Sequence, residues 1–589
     1  MNSEVKQFKV LTTPPGWFWL GLCIVVATLA AYWPVFSTGF IWDDDAYVTG
    51  NTLLTAPDGW SRIWFSAHSQ SQYFPLVYST LRCEYALWGL NPAGYHIVNV
   101  GLHIVNALLV WALLRRLALP GAWLAGAVFA LHPVQVETVA WITELKNTES
   151  TLFYLLAVFA WLQFCGGRGR WFYALALALH ALAMFAKTTA CTLPAALLLV
   201  LWLKNEPLTW RRVIQTLPFL LLGFSLGLLS VWWENHLGDY EPKFHLLGGP
   251  LDRLLIATHA VWFYAGKIFW PANLTFSYPR WEINAGDWRQ YGWLVAGLVV
   301  AALVWLGRVG LVQEPATSRV GRPPLRWLSR IRLGRGPAAA LIFFVAALSP
   351  MLGFIPLYTF YFSYVADHYQ YFACVGLIAL AAGLAVHFLE NWPAGRRWQA
   401  PMAAALLLVL GILTWRQGGA YRSLDRLWAD TLEKNPRSWM AHTNLGRLLA
   451  QRGEFNDAEA HYRTALAIYS GAESVHYNYG NLLAKTGRLE EAIAQYRQAL
   501  QIAPGKADAH NNLGFVLNKQ HRTDEAIAEY ERAILDQPDY ADAYYNLGNA
   551  LAAEHRMEAA VAAYRRAVRL NPDSELFRKR LQAVTVPAN

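Results

Sequence analysis

Charged side chains are scarce in this chain: they make up 15% of 589 residues, against 55% apolar ones. The mean hydropathy is +0.23. Length alone would suggest about four soluble domains, and the shortage of charge excludes that reading. Cysteine is also sparse. The five residues Cys23, Cys83, Cys165, Cys191 and Cys374 are scattered, no pair has metal-ligand or redox spacing, and they read as packing residues. No small-residue cleavage site follows the first apolar run behind Lys6 and Lys9, so a retained signal anchor is expected there. The net charge of +9 comes with no nucleic-acid recognition motif, and nucleic acid is not an expected partner.

What is present instead is apolar length. Runs such as Gly21–Ala31, Leu193–Leu203, Leu294–Leu306 and Met402–Leu413 reach, with their flanks, the roughly 20 residues needed to cross a bilayer. Eleven spans are expected, near 16–36, 96–117, 121–141, 149–165, 171–188, 189–203, 213–233, 289–308, 337–357, 368–389 and 398–416. Basic residues assign the sides. Arg115 and Arg116, Arg168 and Arg170, Lys204 with Arg211 and Arg212, and Arg396 with Arg397 mark cytoplasmic ends. So does a loop edged or filled by Arg308, Arg319, Arg322, Arg326, Arg330, Arg332 and Arg335. All are satisfied with residues 1–15 inside, an external loop 37–95, and the C-terminus outside. Residues 251–270 are apolar but do not fit the count, and are expected as a re-entrant or membrane-surface helix.

The last quarter of the chain is periodic. Gly446, Gly480, Gly514 and Gly548 repeat every 34 residues, as do Ala458, Ala492, Ala526 and Ala560, and Tyr462, Tyr496, Tyr530 and Tyr564. That period marks the tetratricopeptide repeat, a stacked helical hairpin. Four repeats are expected over 437–574, after a membrane domain 16–417 and a linker helix 418–436, with 575–589 as capping helix and tail. Glycine allows the paired helices to approach; alanine and tyrosine fill the seam. The fold class is therefore all-α, a polytopic membrane bundle followed by a solenoid. Asn444, Asn478, Asn512 and Asn546 hold one superhelical position, where side-chain amides can clamp an extended peptide backbone or serve packing.

Chemistry concentrates at the expected external ends of the spans. Asp43, Asp44 and Asp45 directly follow the first span. An adjacent carboxylate pair there can hold a proton near neutral pH and act as a general base. His96, Asn99 and His103, then His132, Glu137, Glu144 and Lys146, then Lys187, then Lys267 with Asn273, and finally Asp367, His368 and Tyr369 fall on the same side. Cations in such a cavity can hold a phosphate.

Phe-x-Trp-Asp-Asp at 40–44 with Asn51, Gly89-Leu-Asn-Pro-x-Gly-Tyr-His96, the 132–141 segment, Trp270-Pro-Ala-Asn-Leu274 and Asp367-His-Tyr-x-Tyr371 occur in that order ahead of the repeats. In this the chain resembles the transmembrane-and-TPR O-mannosyltransferase-like proteins of the C-type glycosyltransferase superfamily. The resemblance implies a polyprenyl-phosphate sugar donor and catalysis at Asp43 or Asp44, Asp43 being the favoured base. Relatives often carry arginine where this chain has Leu145 and His368, so the donor phosphate would be gripped by Lys146, Lys187, Lys267 or His368. His96, His103, His132, Glu137, Asn273, Asp367 and Tyr369 would line the site, with a divalent cation such as Mg or Mn left open. The resemblance to an asparagine ladder in another sugar transferase makes Asn444, Asn478, Asn512 and Asn546 acceptor-binding residues. The expected protein is a glycosyltransferase of a bacterial cytoplasmic membrane with its repeats outside. Transfer to a glycan or lipid, and a non-catalytic scaffold, are the alternatives.

Overall fold

The computed structural model describes residues 16–66, 72–237, 248–309, 334–355 and 358–585. Arg319, Arg322, Arg326, Arg330 and Arg332 of the expected cytoplasmic loop lie outside these residues. The described residues contain helices and no strand. They form two compact units that divide between Leu427 and Trp428, inside the region expected as a linker.

The first unit opens with α1 (Gly16–Ala31), then a long loop holding α2 (Gly59–Phe65) and α3 (Pro75–Trp88). The long helix α4 (Pro92–Arg116) starts where Asn91 accepts the Ala93 N–H at 3.2 Å and Pro92 presets the first turn. It ends on Arg115 and Arg116. Next come α5 (Ala122–Leu131), α6 (Val136–Ala140), α7 (Leu145–Cys165), α8 (Trp171–Ala186), α9 (Leu193–Leu203) and α10 (Trp210–Leu237). The unit continues with α11 (Pro250–Phe269), α12 (Gly292–Val309), α13 (Arg335–Leu348), α14 (Cys374–Asn391) and α15 (Gly395–Gly418).

Six helical segments are long and apolar enough to cross a membrane, and five shorter apolar ones accompany them. Each of these eleven corresponds to one expected span, and the chain is a multi-pass membrane protein. Small residues let the helices touch: a Cβ on Gly126 would lie 2.7 Å from Trp111, and one on Gly376 would lie 2.6 Å from the Ala340 carbonyl. Helix α11 is not among the eleven. It carries Asp252, Arg253 and Lys267, and buries one face through Ile256, Ala260 and Tyr264.

One expectation needs correction. Residues 121–141 are not one continuous helix: α5 has ten residues and stops at Leu131. Pro133 then opens a 3₁₀ turn, and 132–144 proceeds through short helical pieces to α7. All of 129–151 is buried. Irregular backbone is tolerated in such a protein where other protein surrounds it. Here Asn99 Nδ2 donates to the Trp141 and Ile142 carbonyls, both at 3.3 Å.

In the second unit, after α16 (Leu424–Lys434), four hairpins follow: α17 (Trp439–Arg452) with α18 (Phe455–Ile468), α19 (Glu473–Lys485) with α20 (Leu489–Ile502), α21 (Ala507–Lys519) with α22 (Thr523–Asp536), and α23 (Ala541–Ala553) with α24 (Met557–Leu570). Helix α25 (Glu575–Thr585) follows them. The seam is as the period implied. A Cβ on Gly480, Gly514 or Gly548 would meet the ring of Tyr496, Tyr530 or Tyr564 at 2.8, 2.8 and 2.7 Å. Those tyrosines are 1%, 1% and 0% exposed, so the glycine and tyrosine specify each other. Helix α16 holds the same register one step earlier: Trp428, fully buried, stands 34 positions before Tyr462.

Candidate active site

The first loop turns sharply where it leaves the membrane. Trp42 has φ 48°, a left-handed conformation that bulky side chains rarely adopt. Its ring meets Phe276 and Phe362 at 6.2 and 6.1 Å. Strain of this kind persists only where surrounding packing imposes it.

The three consecutive acids after Trp42 have three different environments. Asp44 is fully buried. Its Oδ2 accepts the Ile41 N–H at 2.8 Å, and its Oδ1 accepts both the N–H of Thr143, at 2.9 Å, and the Thr143 hydroxyl. Burial pushes its carboxyl up to about 7, against three hydrogen bonds that favour the ionised form. Asp45 is exposed and accepts only from Thr49, at 3.0 Å. Asp43 is half-buried and lies within electrostatic reach of Lys146. The fold makes Asp44 a clamp and leaves Asp43 within electrostatic reach of a cation.

That cation belongs to a buried ionic cluster built on the irregular segment. Glu144 is fully buried and pairs with Lys146 Nζ at 2.9 Å and Lys187 Nζ at 3.4 Å. His368 Nδ1 lies 3.1 Å from Glu137, and its backbone N–H donates to the same carboxylate at 3.0 Å. Its Nε2 lies 3.9 Å from Glu144. Asn147 ties the two halves together, donating to Glu144 and to the His368 carbonyl at 3.0 Å. The Lys146 ammonium also sits over the rings of Tyr47 and Trp141, at 5.6 and 5.7 Å. Next to the cluster, Tyr278 donates to Asp367 at 3.0 Å, and Tyr369 stacks edge-on with His368 and donates to Thr359.

The structure thus brings together Glu137, Lys146, Lys187, Asp367, His368 and Tyr369, with Asp43 within electrostatic reach of Lys146. The other expected site residues have surroundings of their own. Lys267 lies near the C-terminal end of α11, donating to the Ala272 and Asn273 carbonyls at 2.6 and 3.3 Å. Its ammonium sits over the ring of Tyr278 at 5.0 Å, and the Tyr278 hydroxyl donates to Asp367. Asn273 takes the left-handed turn there, at φ 52°. His132 Nε2 donates to the Ile268 carbonyl at 2.9 Å, and its Nδ1 accepts from Val134. His103 Nε2 donates to the Ala130 carbonyl at 3.0 Å, so its Nδ1 accepts the Tyr371 hydroxyl. His96 donates to Thr38. These three imidazoles hold backbone and hydroxyl groups within the packed interior.

The sequence gives Glu144 no stated role and does not single out Thr143, Asn147 or Tyr278. Glu144-x-Lys146-Asn147 carried a signal, since both charges fall in an apolar stretch. Thr143 carried none. Among the described residues no group of three or more His, Cys, Asp or Glu side chains is placed to hold a metal ion.

In the repeats, Asn444 Nδ2 donates to the Met440 carbonyl of its own helix at 2.8 Å. Asn512 donates to Asn481 at 2.9 Å and to Tyr477 at 3.1 Å, and Asn546 donates to Asn511 at 2.9 Å. Asn478 is half-buried. Asn512 and Asn546 thus link neighbouring repeats.

Comparison with known proteins agrees with this organisation. Residues 480–521 match a family described as TPR repeat, and 408–473 and 516–575 match one described as Tetratricopeptide repeat. The chain is similar to Protein O-mannosyl-transferase TMTC2 of Mus musculus, 25% identical over 518 residues covering 74% of this chain and 61% of that protein. It is 26% identical to Protein O-mannosyl-transferase Tmtc1 of Drosophila melanogaster over 521 residues, covering 74% and 60%. With Protein O-mannosyl-transferase TMTC4 of Homo sapiens it shares 27% over 533 residues, covering 76% and 66%. The resemblance read from the motifs therefore extends over three quarters of the chain, which spans about 61% of the length of the first of these relatives.

Proposed function

We propose that this chain is an integral-membrane glycosyltransferase that moves a sugar, mannose by similarity to its relatives, from a polyprenyl-phosphate carrier to a hydroxyl of a protein. The observation that carries the proposal is the buried cluster of Glu144, Lys146, Lys187, Glu137 and His368 beside Asp43. It joins a carboxylate fit to be a base with cations fit to receive a departing phosphate.

Polyprenyl phosphate is already a good leaving group and needs charge stabilisation rather than a general acid. Lys146, Lys187 and His368 supply it, with Glu144 and Glu137 holding the cations in place while the site is empty. Asp43 takes the acceptor's hydroxyl proton, and the oxygen attacks the anomeric carbon opposite the breaking C–O bond, giving inversion. Asp44 is a positioning residue: it fixes the turn of the first loop onto Thr143. The chain's location is proposed as a cytoplasmic membrane with the first loop and the repeats outside, where nucleotide sugars are scarce and a lipid carrier suits the chemistry. The repeats present the acceptor, with Asn444, Asn478, Asn512 and Asn546 as backbone-binding amides that exchange their present partners for peptide.

The test is mass spectrometry of envelope proteins from cells with and without the gene, followed by in vitro transfer from decaprenyl-phosphate mannose to a Ser/Thr-containing protein. Loss of one defined hexose adduct is the expected result. Unchanged protein adducts together with a changed glycan or lipid would overturn the protein acceptor.

A further inference from the structure

The ends of α1 and α15 meet around an open cavity of about 520 Å³, on the side from which the first loop leaves. Its walls are Trp33, Pro34 and Phe36 from the turn after α1, and Trp415, Arg416 and Arg422 from the end of α15 and the turn beyond it. Pro34 and Val35 pack against Gly418 and close one side, whereas a Cβ on Gly419 would meet nothing within 4 Å. Trp33 is 66% exposed and Trp415 46%, as tryptophans at a membrane–water boundary are. Among the described residues, neither the Arg416 nor the Arg422 guanidinium makes a hydrogen bond, ion pair or ring contact.

Two features single out these arginines. They lie at the end of α15 opposite Arg396 and Arg397, where the charge bias that orients spans disfavours cations. They are also set among aromatic rings at the level where lipid head groups lie. Guanidinium binds phosphate through paired N–H donors, and its weak hydration suits an interface better than an ammonium would. Tryptophan supplies apolar surface for the first methylenes of an acyl or isoprenoid chain.

We infer that this cavity binds a lipid with an anionic phosphate head, its phosphate on Arg416 and Arg422 and its chain descending along Trp33, Phe36 and Trp415 between α1 and α15. The inference does not rest on the proposed transfer reaction, since the cavity shares no residue with the ionic cluster. The same chemistry fits a polyprenyl phosphate and a phospholipid of the bilayer, and the probes separate the two.

The experiment is native mass spectrometry of the full-length protein in detergent, titrated in parallel with decaprenyl phosphate, decaprenol, dioleoyl phosphatidylglycerol and inorganic phosphate. The wild type is expected to retain two equivalents of decaprenyl phosphate, one at the ionic cluster and one in this cavity, and no decaprenol, and it is the second equivalent that the variants should lose. Arg416→Gln with Arg422→Gln should lower retention about tenfold or more, from the loss of the charge-assisted bonds. Gly419→Phe should do the same by filling the cavity with both arginines intact, at a backbone position (φ −65°) that accepts any side chain. Arg416→Lys with Arg422→Lys should restore part of the retention, which a merely misfolded double variant would not. Equal retention of phosphatidylglycerol identifies a bilayer phospholipid; retention of decaprenyl phosphate alone identifies an isoprenoid lipid. Binding of inorganic phosphate as strong as that of either lipid would overturn the lipid assignment. Equal retention of decaprenol, or wild-type retention of both lipids by the glutamine and phenylalanine variants, would overturn the site.

Discussion

The two units of this chain are both helical, yet they are specified in opposite ways. In the repeats the decisive contacts are short in sequence: Tyr496 reaches Asn481 over 15 residues, Arg488 reaches Glu459 over 29, and Asn512 reaches Tyr477 over 35. In the membrane unit, Asp44 reaches Thr143 over 99 residues, the His368 N–H reaches Glu137 over 231, and His103 reaches Tyr371 over 268. A solenoid is stabilised by each repeat and its neighbours. The membrane unit needs distant segments to arrive together before its polar groups find partners, because an unpaired one is costly there. Damage should therefore stay local in one unit and spread in the other.

The largest expected effect separates two adjacent aspartates. Asp43→Asn should lower transfer by roughly two to four orders of magnitude while lowering the melting temperature less than Asp44→Asn does. Asp44→Asn turns one acceptor oxygen into a donor facing N–H groups, so it should lose stability as well as activity. A purified assay with thermal unfolding checks both, and near-normal transfer by Asp43→Asn removes it from the mechanism.

Next in size are two stability changes that test how damage spreads. Asp44→Asn should cost about 1–3 kcal/mol and raise hydrogen exchange across both 41–54 and 132–147. Gly514→Val, which sets a side chain against the Tyr530 ring, should cost a similar 1–3 kcal/mol. Its extra exchange should be confined to residues 473–570, and a rise of exchange in 41–54 would break the comparison.

A smaller effect is expected from the asparagines. Changing Asn444, Asn478, Asn512 and Asn546 to Ala removes neutral hydrogen bonds worth about 0.5–1.5 kcal/mol each, not strictly additive. If they clamp peptide, KM for a protein acceptor should rise tens-fold or more with kcat preserved at saturation. An unaltered KM in a fully helical variant would make them inter-repeat packing alone.

The smallest effect is a pH dependence. The Asp44 carboxyl is raised in the fold, to about 7 from an ordinary value near 3.8, by burial. Its contribution is fully present below about pH 4 and is lost as pH rises through 7. Exchange in 41–54, corrected for intrinsic rate, should increase from pH 4 to 7 and level off above. Asp44→Asn should flatten that profile, and a flat wild-type profile would remove Asp44 as the titrating group.

The sequence alone determined the elements whose information is local. A strict 34-residue step cannot be kept by chance at Gly, Ala and Tyr together, because each glycine must leave room for the tyrosine ring of its own hairpin. Apolar length likewise located eleven helical segments, since lipid demands uninterrupted apolar stretches. The failures have a single cause. Residues 132–141 read as the end of a span because their composition is apolar, but composition cannot say that neighbouring helices will satisfy a broken backbone. For the same reason composition alone did not part Asp44 from Asp43, favoured as base only through the resemblance, and it said nothing of the partners that Lys267, His96, His103 and His132 find. Only the tertiary structure decided which carboxylate is buried against Thr143, 99 residues on, and which lies within reach of Lys146, because burial and pairing depend on segments far apart in the chain.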